Sequence, residues 1–275
     1  MKRTVLAAFC IIALCSLGLA MKTGTISAYQ VGYEVTDYWA TRSPTFDGNW
    51  TTPNEWTDAE VRQLDGTLNA TFRLKWDGTW DMTTYHQCYL IEFFDDNTND
   101  TGDYWQICCT ASIGEQGDPT GGTTPKEDCF RWDYVGHSHT GFTFYTGDGT
   151  EWVEGTTGWP GDVYIKDSLG TSPLSDTPHW IAEIKINHLA YGMRPNFWIY
   201  VAAYDESNST AGVQSWPDGS SDVPNDWGFM DLAREPIPEG LTIGVMVLLS
   251  SVSVLIASHY FRKRSRPESC RTGKT

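Results

Sequence analysis

The sequence predicts an all-β domain, an antiparallel β-sandwich of immunoglobulin-like or jelly-roll type, followed by one C-terminal transmembrane helix. Three observations carry this. Between residues 71 and 204, short runs alternate apolar with polar side chains at the period of a half-buried strand. Gly, Pro, Asn and Asp punctuate those runs, and almost no helical period appears. Residues 241–261, by contrast, form a 21-residue apolar stretch without Asp, Glu, Lys or Arg. At about 1.5 Å per residue, a helix of that length reaches roughly 30 Å, the thickness of a bilayer's hydrocarbon core.

The two ends set the topology. Lys2 and Arg3 precede an apolar run over 5–19, and Gly18, Leu19 and Ala20 offer small residues around a cut. That pattern predicts a signal peptide over residues 1–20, with a later cut after Ala28 also open. Arg262, Lys263, Arg264 and Arg266 follow the apolar stretch at once. Basic residues there mark the cytoplasmic side, so 262–275 is a basic tail. Residues 29–236 are then an ectodomain held on the cell surface by a single-pass anchor. The chain's net charge is −16, and between the ends eleven basic residues face 34 acidic ones. Such a surface excludes nucleic acid and anionic lipid as partners; it suits neutral ligands and divalent cations.

Taken in order, residues 29–60 are turn-rich and aromatic, with a tight turn at Phe46, Asp47, Gly48 and Asn49. Over 71–76, Phe72, Leu74 and Trp76 point one way and Thr71, Arg73 and Lys75 the other. Residues 88–94 and 104–111 are further strands, joined by polar turn material from Asp95 to Asp103. Short aromatic strands follow at 128–134, 141–146 and 151–153. Trp180, Ala182, Ile184 and Ile186 share one face of a strand over 180–186. Residues 196–204 are apolar on both faces, as in the middle of a packed sheet.

The ordered set Phe46, Asp47, Gly48, Glu55, Trp56, Ala59, then Phe72 to Asp77, then 88–95 with Gly102, Asp103, Tyr104 and Trp105, resembles carbohydrate-binding module family 9 and the related DOMON-like domains. Trp180 to Ile186 and the closing Asp226 to Leu232 continue that order, so the resemblance covers residues 45–232. It implies a β-sandwich, an aromatic ligand surface and no catalysis. It also brings an alternative, since DOMON-like relatives include haem-binding redox domains with Met, His or Lys as axial ligands. Met82, His86, His137, His139, Met193 and Met230 supply those residue types. A further alternative is a structural or adhesive envelope protein without a small ligand. Pro236 to Gly240, the apolar span and the basic cluster look like an archaeal surface-protein anchor.

An exposed indole offers sugars an apolar plane and one N–H donor. Trp80, Trp105, Trp159 and Trp216 sit among Gly, Pro, Asp and Thr and are the candidate ligand-binding residues for carbohydrate or a cell-envelope glycan. Trp216 is the leading candidate, and Trp76 alternates into the core. Asp95, Asn97 and Asn99 have the 1-3-5 spacing of a calcium loop, but Asp100 and Gln106 stand where an EF-hand needs Gly and Glu. Calcium held in a turn by Asp95, Asp96, Asn97, Asp100 and Asp103 remains open beside a solvated hairpin. His137 and His139 flank Ser138, without an evident third metal ligand. No nucleophile elbow, zinc-binding helix motif or P-loop occurs, so no enzymatic activity is expected.

Four cysteines fall in the ectodomain, an even count that suggests disulfides outside the cell. A vicinal bridge would be strained. If residues 88–109 form a hairpin centred at 98–99, Cys88 lies across from Cys109. A second hairpin centred within 117–119 sets Cys108 across from Cys129. Sequons at Asn49, Asn69, Asn99 and Asn208 all fall in the same region, as expected of a glycoprotein.

Overall fold

The computed structural model describes residues 33–233, except 65, 67, 80–82, 112–123, 139–140 and 157–161. The predicted signal peptide, membrane span and tail lie outside the described residues, as do Trp80, Met82, His139 and Trp159. Among the described residues, no helix is long and apolar enough to cross a membrane.

These residues are mostly strand. In chain order the strands are β1 (Glu34–Trp39), β2 (Glu60–Leu64), β3 (Ala70–Gly78), β4 (Tyr85–Phe93), β5 (Tyr104–Thr110), β6 (Cys129–Val135), β7 (Phe142–Gly147), β8 (Trp152–Glu154), β9 (Val163–Ser172), β10 (Ser175–Asn187), β11 (Phe197–Tyr204), β12 (Gln214–Trp216) and β13 (Gly228–Ala233). They join into one sheet in the order β8-β7-β6-β5-β11-β13-β1-β3-β4-β10-β9, with β12 beside β11 and β2 beside β3. The sheet is mixed rather than antiparallel. β1 runs parallel to both β13 and β3, because the first strand is inserted between the last strand and a strand reached by a long connection.

The sheet curls so that one face encloses the main core. Phe72 and Leu74 of β3, Tyr89 and Ile91 of β4, and Ala182, Ile184 and Ile186 of β10 meet Trp105 and Ile107 of β5, Trp132 of β6, and Ile199 and Val201 of β11. The two ends of the strand order face each other: the Tyr134 hydroxyl of β6 donates to Asp167 of β9 at 2.8 Å. The period-two reading of β3 and β10 therefore identifies their core faces, and β11, read as apolar on both faces, is buried on both.

Both outer faces are partly covered as well. Residues 41–59 lie over β4 and β10, where Trp50, Trp56 and Ala59 pack on Cys88, Leu90 and Ile181. This cover is pinned by charge. Glu183 accepts from the backbone N–H groups of Asp47 and Gly48 at 2.8 Å and from Trp56 Nε1 at 3.0 Å. The buried Lys75 ammonium donates to Glu55 O at 2.5 Å and to Asp58 at 2.7 Å. On the other half, Trp227 and Trp152 pack over Cys108, Cys129, Trp198 and Tyr200.

The proposed disulfide register is corrected here. β4 pairs with β3 and β10, and β5 pairs with β11 and β6, so residues 88–109 are not a hairpin. Cys88 lies in the outer cluster under Trp50, whereas Cys109 points into the main core, 3.9 Å from the Met193 sulfur. β5 and β6 do pair, but Cys129 faces Thr110 and Cys108 faces Arg131, two residues from the expected register. All four cysteines are free thiols and buried.

Candidate functional site

Two of the predicted indoles belong to the core. Trp105 is 2% exposed and stacks on Tyr134 with ring centroids 5.2 Å apart. It alternates inward with Ile107 and Cys109, which its turn-like neighbours conceal in the sequence. Trp216 is 4% exposed and packs edge-on against Phe72 and Tyr33. A Cβ on Gly228 would come within 2.4 Å of the Trp216 ring, so glycine is required there by the close approach. Neither indole offers a face to a ligand.

The acidic turn does gather carboxylates. Residues 94–103 cross from β4 to β5 over one end of the curled sheet. Asp96, Asp103 and Asp205 are all at least 98% buried there. Asp103 accepts from the backbone N–H of Glu206 at 2.8 Å and of Asp100 at 3.0 Å, and lies 3.3 Å from His137 Nε2. His137 Nδ1 is 2.7 Å from Asp167, and the ring stacks on Trp180 at 3.5 Å. Burial pushes the Asp96 carboxyl up to about 6; Thr98's backbone hydrogen bond opposes this, and the Asp103 and Asp205 charges add to it.

Two donor sets, Asp96–Asp103–His137 and Asp100–Asp103–Asp205, each fall within 4.8 Å and share Asp103. The all-oxygen set fits the donor preference of calcium better than the set containing an imidazole. Of the five residues predicted, Asp96, Asp100 and Asp103 come together. Asp95 and Asn97 are exposed and lie outside both sets. Asp205 arrives from the end of β11, too far along the chain for local spacing to reveal.

Of the described residues named for the haem alternative, Met193 and Met230 are core residues, both His137 nitrogens face carboxylates, and His86 is half-buried on β4. Among the sequons, Asn69 and Asn99 are exposed and Asn208 is half-buried; Asn49 is tied to Ser168 through its side-chain oxygen at 2.8 Å. A wide groove of about 570 Å³ lies between residues 49–53 and 170–173, lined by small polar residues, prolines and Trp50, without a charged group.

A third arrangement was not singled out in the sequence. The outer face of β7, β6, β5 and β11 is buried at one end by Trp227 and Trp152 and open at the other. The register places Tyr145 beside Arg131, then Thr143 beside Asp133 and Gln106, then Val135 beside Tyr104 and Tyr204. Tyr104 and Tyr204 stack at 5.5 Å, and the Arg131 guanidinium sits 5.0 Å over the Tyr145 ring. Arg131 Nε donates to both oxygens of Asp133 at 2.9 and 3.0 Å, and its NH2 donates to Asp133 at 2.6 Å. Its NH1 donates to Asp222, in the loop that walls this face. Gln106 donates to Asp133 at 2.8 Å.

Burial works against the Arg131 charge, but the Asp133 hydrogen bonds and nearby carboxylates outweigh it and hold its pKa above the usual range. Burial, then Asp133, raises the Tyr104 phenol. The polar side chains are thus locked before any ligand arrives. The signal for this face was the polar half of each alternating strand, Tyr104 and Gln106, Arg131 and Asp133, Thr143 and Tyr145, which reads as solvated surface when each strand is taken alone. No protein-family model matches the chain, and no curated protein matches it.

Proposed function

We propose that this chain is a non-catalytic, surface-anchored binding protein whose β-sandwich ectodomain recognises carbohydrate. The observation that carries the reading is the open outer face, where half-buried tyrosines surround a fixed Arg–Asp–Gln cluster. Apolar ring surface beside oriented donors and acceptors is the chemistry that selects a polyhydroxylated ring. The acidic charge between the chain's ends supports a neutral partner outside the cell, and residues 241–261 would hold the domain there. Calcium at Asp100, Asp103 and Asp205 would stabilise the end of the sandwich without taking part in sugar recognition.

The test is a glycan array followed by calorimetry, using the full chain in a non-glycosidic detergent so that no sugar headgroup competes. The reading expects retention of a subset of glycans without their cleavage. Retention of none, or release of hydrolysed product, contradicts it. For the cation, saturation at a hundred times Kd should add about 2.7 kcal/mol of stability. Chelation should remove that increment from the wild type and leave Asp205→Asn unchanged. A wild type indifferent to both calcium and chelator refutes the site.

A further inference from the structure

From the geometry of the open face we infer that the ligand is a neutral, extended saccharide chain of which about four sugar units lie diagonally across the strands. This rests on the carbohydrate reading above and adds chain direction, length and charge to it.

Direction and length follow from the sheet. The groups of the face run from Tyr145 on β7, through Arg131 and Asp133 on β6 and Gln106 and Tyr104 on β5, to Tyr204 on β11. These are four adjacent strands, so three interstrand spacings of about 4.8 Å give about 14 Å across the sheet, and the four-residue step from Arg131 to Val135 adds about 13 Å along it; the diagonal of about 20 Å is the span of about four pyranose units. The row is bounded on one side by Asp222 and the cover around Trp227, and its Tyr104–Tyr204 end adjoins a small crevice that those rings share with Asp96, Asp103 and His137.

Charge follows from the ion pairs. Arg131 is matched by Asp133 and Asp222, and Glu154 stands across from Tyr145, so the face carries three negative groups against one positive. A uronate or sulfated glycan would meet no unneutralised cation and would be repelled by the acidic domain. What remains available is neutral hydrogen bonding. The Tyr104, Tyr145 and Tyr204 hydroxyls have no hydrogen-bond partner among the described residues. Of the five guanidinium N–H groups, the bonds of Arg131 commit three, which leaves two for sugar hydroxyls.

The experiment is calorimetric titration of the full chain, in non-glycosidic detergent, with cello- and manno-oligosaccharides of one to six units and with polygalacturonate. Affinity should climb to the tetramer and then level off, and polygalacturonate should not bind. Tyr145→Ala and Tyr104→Ala should each lose about tenfold in affinity, and Tyr145→Phe should lose less, because it keeps the ring; thermal midpoints are measured for all three, and Tyr145→Phe keeps the test open if an alanine variant unfolds. A monosaccharide that binds as tightly as the tetramer, stronger binding of the anionic polymer, or unchanged affinity in a folded Tyr145→Ala variant would overturn the inference while leaving carbohydrate binding intact. Binding of no saccharide at all would overturn both.

Discussion

Single residues separate what holds the domain together from what its surface offers. Trp216 and Tyr145 both looked like turn or strand aromatics, yet one fills the core and the other sits half-buried on an open face. Trp216→Ala should cost about 3–5 kcal/mol in denaturant unfolding, the usual loss for a large core side chain. Tyr145→Ala should cost below about 1 kcal/mol and act on binding instead. Equal losses in the two variants would refute this division. Asp37 gives a second prediction. It is fully buried, with Gln87 donating to it at 2.8 Å and Tyr85 at 3.2 Å, and burial pushes its carboxyl up to about 8 against those hydrogen bonds. Burial likewise pushes Glu183 up to about 7. An acid whose folded pKa is raised binds a proton that the unfolded chain releases. Its contribution is therefore whole below about pH 4 and is lost as pH rises toward 7 and 8. The unfolding free energy should fall over that window by up to about 1.4 kcal/mol per pH unit for each group, read by denaturant titration across pH. Asp37→Asn should flatten the upper part of the profile near pH 8, and an unaltered slope would contradict the assignment.

At the scale of elements, alternation was a dependable guide and neighbourhood was not. The core faces of β3 and β10 are legible because Phe72, Leu74 and Trp76, or Ala182, Ile184 and Ile186, repeat every second residue. Which strands pair is set by long-range packing, and nothing in the turn from Asp95 to Asp103 signals that it crosses between halves instead of closing a hairpin. That error misplaced Cys88 and Cys109, whereas the Cys108–Cys129 pairing failed on the register of β5 with β6, two residues from the one expected. Peptide mapping without reduction should find no Cys88–Cys109 crosslink, because the two strands share no edge; recovery of that linked peptide would contradict the strand order. β1, β9 and β13 were not read as strands, since charged and small residues dilute their apolar period. The resemblance motif has a structural explanation of its own. Asp47, Gly48, Trp56 and Glu183 fasten the 41–59 cover to β10, so this part of the ordered set marks how the layer docks.

On the scale of the whole molecule, three features separate in space. One outer face is sealed by residues 41–59, one end gathers buried carboxylates, and the opposite outer face stays half open. The candidate site was partly legible: Asp96, Asp100 and Asp103 were named as acidic residues of one turn, whereas the 1-3-5 spacing pointed at Asp95, Asn97 and Asn99, which are exposed, and the tyrosine face needed four strands to be brought into register before its residues met. A sequence read one strand at a time sees polar residues facing water, and only the sheet makes them a row. The central claim is that saccharide lies on that row. Hydroxyl-radical footprinting of the full chain, with and without a cello- or manno-hexasaccharide, tests it most directly. The account predicts protection of Tyr104, Tyr145 and Tyr204, with Trp105 and Trp216 unchanged because they are already buried; protection confined to other residues, or none at saturating sugar, would contradict it.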